Sequence, residues 1–83
     1  MEIKLTVLAV TFKDPRDCSE FFALLQRKPP SHTIPIREGN NSAILIIPPE
    51  RETATKSYIQ QLARQYSWGE QSIKTTETVL AVS

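Results

Sequence analysis

The sequence predicts an α+β fold in which four strands and two helices follow one another in the order βαββαβ. In two segments both alternating sets of side chains are apolar, which is typical of strands in the interior of a sheet. Two others carry apolar residues at helical spacing, between residues that favour helix starts and ends. A Gly-Asn-Asn turn at residues 39–41 separates the two middle strands, which indicates a hairpin.

Residues 2 to 12 are predicted to form the first strand. Both alternating sets of side chains in this segment are largely apolar, so we expect the strand in the interior of the sheet. One set consists of Ile3, Leu5, Val7 and Ala9, and the other of Leu8, Val10 and Phe12.

The first helix is predicted over residues 15 to 28. Asp14 can accept hydrogen bonds from the first free backbone amides, and Pro15 suits the first helical position. Pro29 and Pro30 are expected to end the helix, because proline disrupts helical hydrogen bonding. The apolar stripe that faces the core comprises Cys18, Phe21, Phe22 and Leu25.

The two strands of the hairpin are predicted to differ in their place in the sheet. The first has Ile34 and Ile36 on one face, and Pro35 between them cannot donate to a ladder, so this strand is expected at an edge. The return strand, from Ser42 to Ile47, is apolar at most positions and is expected inside the sheet.

The second helix is predicted to begin at Pro49 and to end at Gly69. Glu50 and Glu52 favour its start, because acidic side chains stabilise the positive end of the helix dipole. Its apolar stripe comprises Ala54 or Thr55, Tyr58, Ile59, Leu62 and Tyr66.

Residues 71 to 82 are predicted to form the last strand, which is rich in threonine at first and apolar from Val79 to Val82. For the order βαββαβ, right-handed crossovers favour the ferredoxin-like two-layer sandwich, a four-stranded antiparallel sheet with both helices on one face. The first and third strands are then central, and the second and fourth lie at the edges. Residues 1–83 are predicted to form this single domain.

The sheet face without helices is the candidate functional site. Ile44 and Ile46 are expected to point away from the helices, and Leu8 and Val10 of the neighbouring strand are assigned to the same face. Exposed apolar side chains cost free energy in water, so the face is interpreted as a docking surface for a second copy or a larger partner. The alternative is that a twist of the chain or a terminus covers it.

Further residues are predicted around this face. Arg37 and the strand from Thr76 to Val82, including Leu80, are expected at its borders, where an exposed edge permits strand addition. Trp68 after the second helix is a second candidate, because aromatic residues often anchor interfaces, although a core or cap role suits it equally.

The composition argues against several classes of partner. Ten Lys and Arg against nine Asp and Glu leave a net charge of +1, so no overall field draws the chain to nucleic acid or to an anionic membrane. No apolar run approaches the roughly 20 residues that cross a bilayer, and the first residues lack a signal-peptide pattern. One cysteine allows no internal disulfide, so a cytoplasmic location is expected.

Few residues offer catalytic or metal-binding chemistry. Cys18 is in phase with the apolar stripe of the first helix and is expected to be a core thiol. His32, the single histidine, is expected in a surface loop without the partners that a nucleophilic site needs. The acidic residues at the two helix starts are attributed to capping. No catalytic residue, metal or cofactor is predicted, and the chain is not expected to be an enzyme.

Nucleic-acid binding and small-ligand sensing remain as alternatives. RNA-recognition domains of this topology stack bases on aromatic residues of their central strands, whereas residues 42–47 contain neither an aromatic nor a basic side chain. A nucleic acid would therefore need the basic rim, and a small ligand would bind at a dimer interface. The rim consists of Lys13, Arg16, Arg27, Lys28 and Arg37.

The segment SAILIIPPERETATKSYIQQLARQ, residues 42–65, resembles the strand, proline turn and helix of the small linker domains that organise phycobilisome rods. The resemblance implies a role in assembly. The chain departs from that family after the second helix, where a lone Gly69 stands in place of paired glycines. The sequence as a whole predicts a non-catalytic protein–protein interaction module, a small accessory, regulatory or inhibitory subunit of a homodimer or larger assembly.

Overall fold

A computed structural model describes residues 1–81 of the chain. Its elements follow the predicted order, with a short 3-10 helix inserted before the second α-helix. They are β1 (Glu2–Phe12), α1 (Pro15–Arg27), β2 (Ile34–Glu38), β3 (Ser42–Ile47), the 3-10 helix (Pro49–Arg51), α2 (Glu52–Gln65) and β4 (Gln71–Ala81). The last strand was predicted to include Val82, which lies outside the described residues.

The helix starts follow from local chemistry. The Asp14 carboxylate accepts a hydrogen bond from the Arg16 backbone N–H at 2.9 Å, which caps α1 as predicted. The prediction that the second α-helix begins at Pro49 is wrong, because a short 3-10 helix precedes it. Residues Pro49–Arg51 adopt 3-10 geometry, and the α-helix begins at Glu52.

The four strands form one antiparallel sheet in the order β2-β3-β1-β4. The two strands that are apolar in both directions are central, and the strand that contains Pro35 lies at an edge, so both predictions of strand placement are confirmed. β1 and β4 pair over their whole length, from Glu2 opposite Ala81 to Phe12 opposite Gln71.

β1 and β4 extend beyond the rest of the sheet. β3 pairs with β1 only between residues 6 and 11, so residues 2–5 and 78–81 form a two-stranded ribbon at one end. The ribbon residues are mostly exposed, and the molecule is correspondingly elongated, with extents of 43 × 23 × 22 Å. Strand backbone is therefore presented beyond the part that the helices cover.

Both helices cover the same face of the sheet and share one hydrophobic core with it. Every second residue of the central strands points into this core, as the pleat requires. The buried apolar residues are Leu8, Val10 and Phe12 of β1, Cys18, Phe21 and Leu25 of α1, Ala43, Leu45 and Ile47 of β3, and Ile59, Leu62 and Ala63 of α2.

The orientation predicted for β1 is wrong. Leu8 and Val10 are completely buried under the helices, whereas they were assigned to the opposite face. Leu8 lies directly opposite Leu45, and residues opposite each other in an antiparallel pair share a face. Because Leu45 faces the helices, Leu8 must face them too, and Val7 and Ala9 take the outer positions.

Candidate functional site

The sheet face turned away from the helices carries two apolar rows that cross the strands. In one row Ile34, Ile46 and Val7 lie side by side, followed by Thr76 on β4. In the next row the order is Ile36, Ile44, Ala9 and Lys74. On the ribbon the face continues through Leu5 beside Thr78 and Ile3 beside Leu80. We call these twelve side chains the open face.

The exposure of the open face rises from the centre of the sheet to its edge. Ile44 and Ile46 of β3 are half-buried, whereas Ile34 of β2 is 58% exposed. Their neighbours Leu45 and Ile47 on the same strand are buried by the helices. Water therefore reaches one side of the sheet and not the other, although both sides are apolar.

Three of the residues predicted for the docking surface, Ile44, Ile46 and Leu80, lie on the open face. Ile44 and Ile46 point away from the helices, and the burial pattern of β3 alternates accordingly. Leu80 lies at the end of the face, opposite Ile3, and is exposed. Val82 falls outside the described residues.

Arg37 does not border the open face, and that prediction is wrong. Arg37 pairs with Ala43, which is buried on the helix side, so its side chain leaves the sheet on that side as well. The guanidinium donates to Ser19 Oγ of α1 at 3.0 Å and to the Asn40 carbonyl oxygen at 2.9 Å. It thereby holds the hairpin turn against α1.

Trp68 has a structural role in the core. Its ring meets Phe12 and Phe21 edge to face, with centroid separations of 5.7 and 5.8 Å. Tyr66, which is partly exposed, stacks on its outer side at 5.6 Å. The backbone N–H of the next residue, Gly69, donates to the Asp17 carboxylate at 3.0 Å. These contacts join the end of α2 to α1, on the helix side of the sheet.

An open groove of about 740 Å³ lies between α2 and the start of β4. Its lining mixes polar and apolar side chains, and the buried Trp68 Nε1 beside it has no hydrogen-bond partner among residues 1–81. The lining residues are Gln60, Ala63, Arg64, Ser67, Trp68, Gly69, Glu70 and Gln71. The groove reaches the outer edge of β4, and none of its lining belongs to the open face.

Sequence reasoning missed the outer residues of the open face on β1 and β2. Ile34 and Ile36 were recognised as sharing a face, but they were not connected to Ile44 and Ile46. The hairpin itself held the necessary signal. Its register is centred on Asn40, which sets Ile34 opposite Ile46 and Ile36 opposite Ile44.

The cysteine and the histidine lie in different surroundings, one in the core and one in an exposed loop. Cys18 is buried in the core, as predicted, and burial raises the pKa of its thiol above the ordinary value. His32 lies exposed in the loop before β2, also as predicted. The carboxylates at the start of α1 have structural contacts: Asp14 is paired with Arg16 at 3.1 Å, and Asp17 accepts from Gly69.

The basic rim is divided between the two ends of α1. Arg16 lies in the first turn and Arg27 in the last, roughly 16 Å apart along the helix axis. Arg16 already pairs with Asp14, and Arg37 is bonded to Ser19. The predicted rim therefore falls into two groups, one at each end of α1.

The chain matches no family model, no curated protein and no solved structure. Its likeness to the phycobilisome linker domains remains a prediction from the sequence. No helix within residues 1–81 has the length and apolar character needed to span a membrane.

Proposed function

We propose that the protein is a non-catalytic interaction module that docks through the open face, as a small accessory, regulatory or inhibitory subunit of a homodimer or larger assembly. The observation that carries the proposal is the continuity of the two apolar rows across three neighbouring strands. Isolated apolar residues are normal on protein surfaces, whereas contiguous patches mark interaction sites.

The size of the open face supports this function. Strands about 4.8 Å apart and side-chain rows about 6.8 Å apart give roughly 400 Å² for the two rows and the ribbon. An exposed patch of a few hundred Å² is of the size that is often functional on a monomeric protein.

The fold suits such a module. The strand order β2-β3-β1-β4, with antiparallel neighbours and both helices on one face, supports assignment to the ferredoxin-like sandwich. A cytoplasmic location belongs to the same proposal, and its support is the single cysteine, which cannot form an internal disulfide.

Capture of proteins from an extract of the source organism tests the function. The immobilised chain is compared with Ile46→Asp, which puts a charge at the centre of the open face, and with Thr53→Asp, which adds the same charge at an exposed position of α2. The proposal predicts partner polypeptides, other than copies of the chain itself, that the wild-type chain and Thr53→Asp retain and that Ile46→Asp loses. Equal retention by all three would contradict it.

A further inference from the structure

The outer edge of β4 is long, regular and unprotected within the described residues. The strand has eleven residues, no proline and an uninterrupted register with β1. The opposite edge strand, β2, has five residues and contains Pro35. Sheets usually shield such an edge with proline, bulges, charges or a covering element, because unpaired backbone groups recruit further strands. On β4 only Lys74 and Glu77 provide charge.

Two backbone hydrogen bonds identify which groups of β4 face outward. Phe12 N–H donates to the Asn41 carbonyl on the β3 side, and Lys13 N–H donates to the Glu70 carbonyl on the β4 side. The backbone N–H and C=O groups of successive residues point to opposite sides of a strand. The odd-numbered residues of β1 therefore bond to the even-numbered residues of β4. The N–H and C=O groups of the odd residues of β4 therefore point away from the sheet. These are Gln71, Ile73, Thr75, Glu77, Val79 and Ala81.

We propose that β4 pairs with β4 of a second copy of this chain, antiparallel and centred on Thr76, to form a continuous eight-stranded sheet. Centring on Thr76 pairs every described residue of the strand, because Thr76 is the midpoint of Gln71–Ala81. Centring on Lys74 or on Glu77 would set like charges opposite each other, which is unfavourable. Centring on Thr75 would set Glu77 opposite Ile73, a charge against an apolar side chain.

The side chains match in this register. Ile73 lies opposite the partner's Val79 on the helix side. By symmetry, Val79 lies opposite the partner's Ile73. Ile73 already packs against the core, whereas Val79 is 53% exposed on the ribbon beyond the helices. The pairing therefore lays the ribbon of each copy along the four-stranded part of the other and covers Val79. Thr76 meets the partner's Thr76 at the two-fold axis, a pair that suits β-strands.

The region that receives the partner's ribbon is open. The groove between α2 and β4 reaches Gln71, and the partner's Ala81 arrives opposite this residue. The two-fold axis is perpendicular to the sheet, so all four helices lie on one side and the two open faces join on the other. The inference goes beyond the proposed function, since it concerns the edge of the sheet and leaves the open face available.

Sedimentation velocity of the full chain tests the edge pairing. We expect a dimer, and we expect Thr75→Pro to weaken it about tenfold or more, because proline removes an outward N–H from each copy. The even residues still bond to β1, so the variant is expected to fold, which circular dichroism checks. Thr75→Val keeps the N–H and should keep the dimer. A monomeric wild-type chain, or a dimer indifferent to Thr75→Pro, would overturn the inference.

A disulfide reports the register directly. Thr76 and the partner's Thr76 form a non-hydrogen-bonded pair, with Cα atoms about 4.5 Å apart, close enough for a disulfide. In a Cys18→Ala background, Thr76→Cys should give a covalent dimer on mild oxidation, and Thr78→Cys should not. Equal cross-linking of the two variants would overturn the register.

The edge pairing and the docking through the open face can be tested separately. Ile46→Asp is expected to leave the edge dimer intact, because Ile46 lies on β3, away from β4. A dimer that Ile46→Asp dissociates and Thr75→Pro preserves would overturn the edge pairing and support the open face. The capture assay, repeated in the Thr75→Pro background, tests the open face when the edge is blocked.

Discussion

Val7 of β1 lies directly opposite Ile46 of β3, and both side chains project from the open face. The hydrogen bond from Phe12 N–H towards β3 makes this a non-hydrogen-bonded pair, the type with Cα atoms only about 4.5 Å apart. The two side chains therefore shield each other in the free chain, which accounts for their partial burial. A partner need only cover the outer surface of a cluster that is already assembled.

Truncation of two valines on the same strand distinguishes the two faces. Val10 is fully buried and Val7 is half-buried, so Val10→Ala should lower the free energy of unfolding by about 2 kcal/mol and Val7→Ala by less than about 1 kcal/mol. Urea denaturation of the dilute chain measures both. Equal losses, or a larger loss at Val7, would contradict the assignment of faces.

Arg37 is expected to matter for stability and not for docking. Arg37→Ala removes the hydrogen bonds to Ser19 and to the turn carbonyls, and should lower the free energy of unfolding by up to about 1 kcal/mol. Arg37→Lys should lose nearly as much, because an ammonium cannot reproduce the planar fork. Denaturant titrations give the free energies. Loss of captured partners with either variant would return Arg37 to the docking surface.

The sequence was sufficient for the element order and for the place of each strand in the sheet. Pro35 identified one edge, and the doubly apolar patterns identified the centre. It did not resolve the orientation of β1, because period-two alternation with two apolar sets has no preferred side. The set that includes Leu8 also contains Thr6, which is buried and whose hydroxyl has no hydrogen-bond partner in the described part of the chain. Only pairing with β3 decided the orientation.

The direction of Arg37 was predicted wrongly because the hairpin register was not worked out. Arg37 and Glu38 are adjacent on β2, so their side chains point to opposite faces, and the register decides which side chain lies on which face. That register also joins Ile34 and Ile36 to the open face. Strand pairing therefore determined which residues make up the site, while the pattern within each segment determined the elements that carry it.

Asp14 predicts a dependence of stability on acid pH. Hydrogen bonds from the Arg16 side chain and backbone hold the pKa of this carboxyl below its usual 3.8. The folded state binds the proton of Asp14 less readily than the unfolded state. The stabilisation of the fold by this carboxylate is therefore complete above the pKa of the unfolded state and disappears as pH falls through the pKa of the folded state. Asp14→Asn keeps a capping side chain without the charge. Its melting temperature should lie below that of the wild type at neutral pH and converge with it in acid; a constant difference would contradict this.

Cys18 should resist thiol reagents until the chain unfolds. The thiol is buried in the core, and burial raises its pKa, so both access and thiolate formation are suppressed. Reaction with a chromogenic disulfide reagent should be at least about a hundredfold slower in the native protein than in denaturant, since it requires global or local opening. Rapid native reaction would show that the start of α1 opens readily.

Accessibility of isoleucine methyl groups to a neutral gadolinium chelate tests the central claim most directly, namely that the sheet is apolar on both sides and covered by its helices on one. In the dilute chain, relaxation of the Ile44 and Ile46 methyl groups should be strongly enhanced by the chelate, while those of Ile47 and Ile59, buried under the helices, should be protected. Ile44 and Ile46 methyl groups as well protected as that of Ile47 would contradict the account.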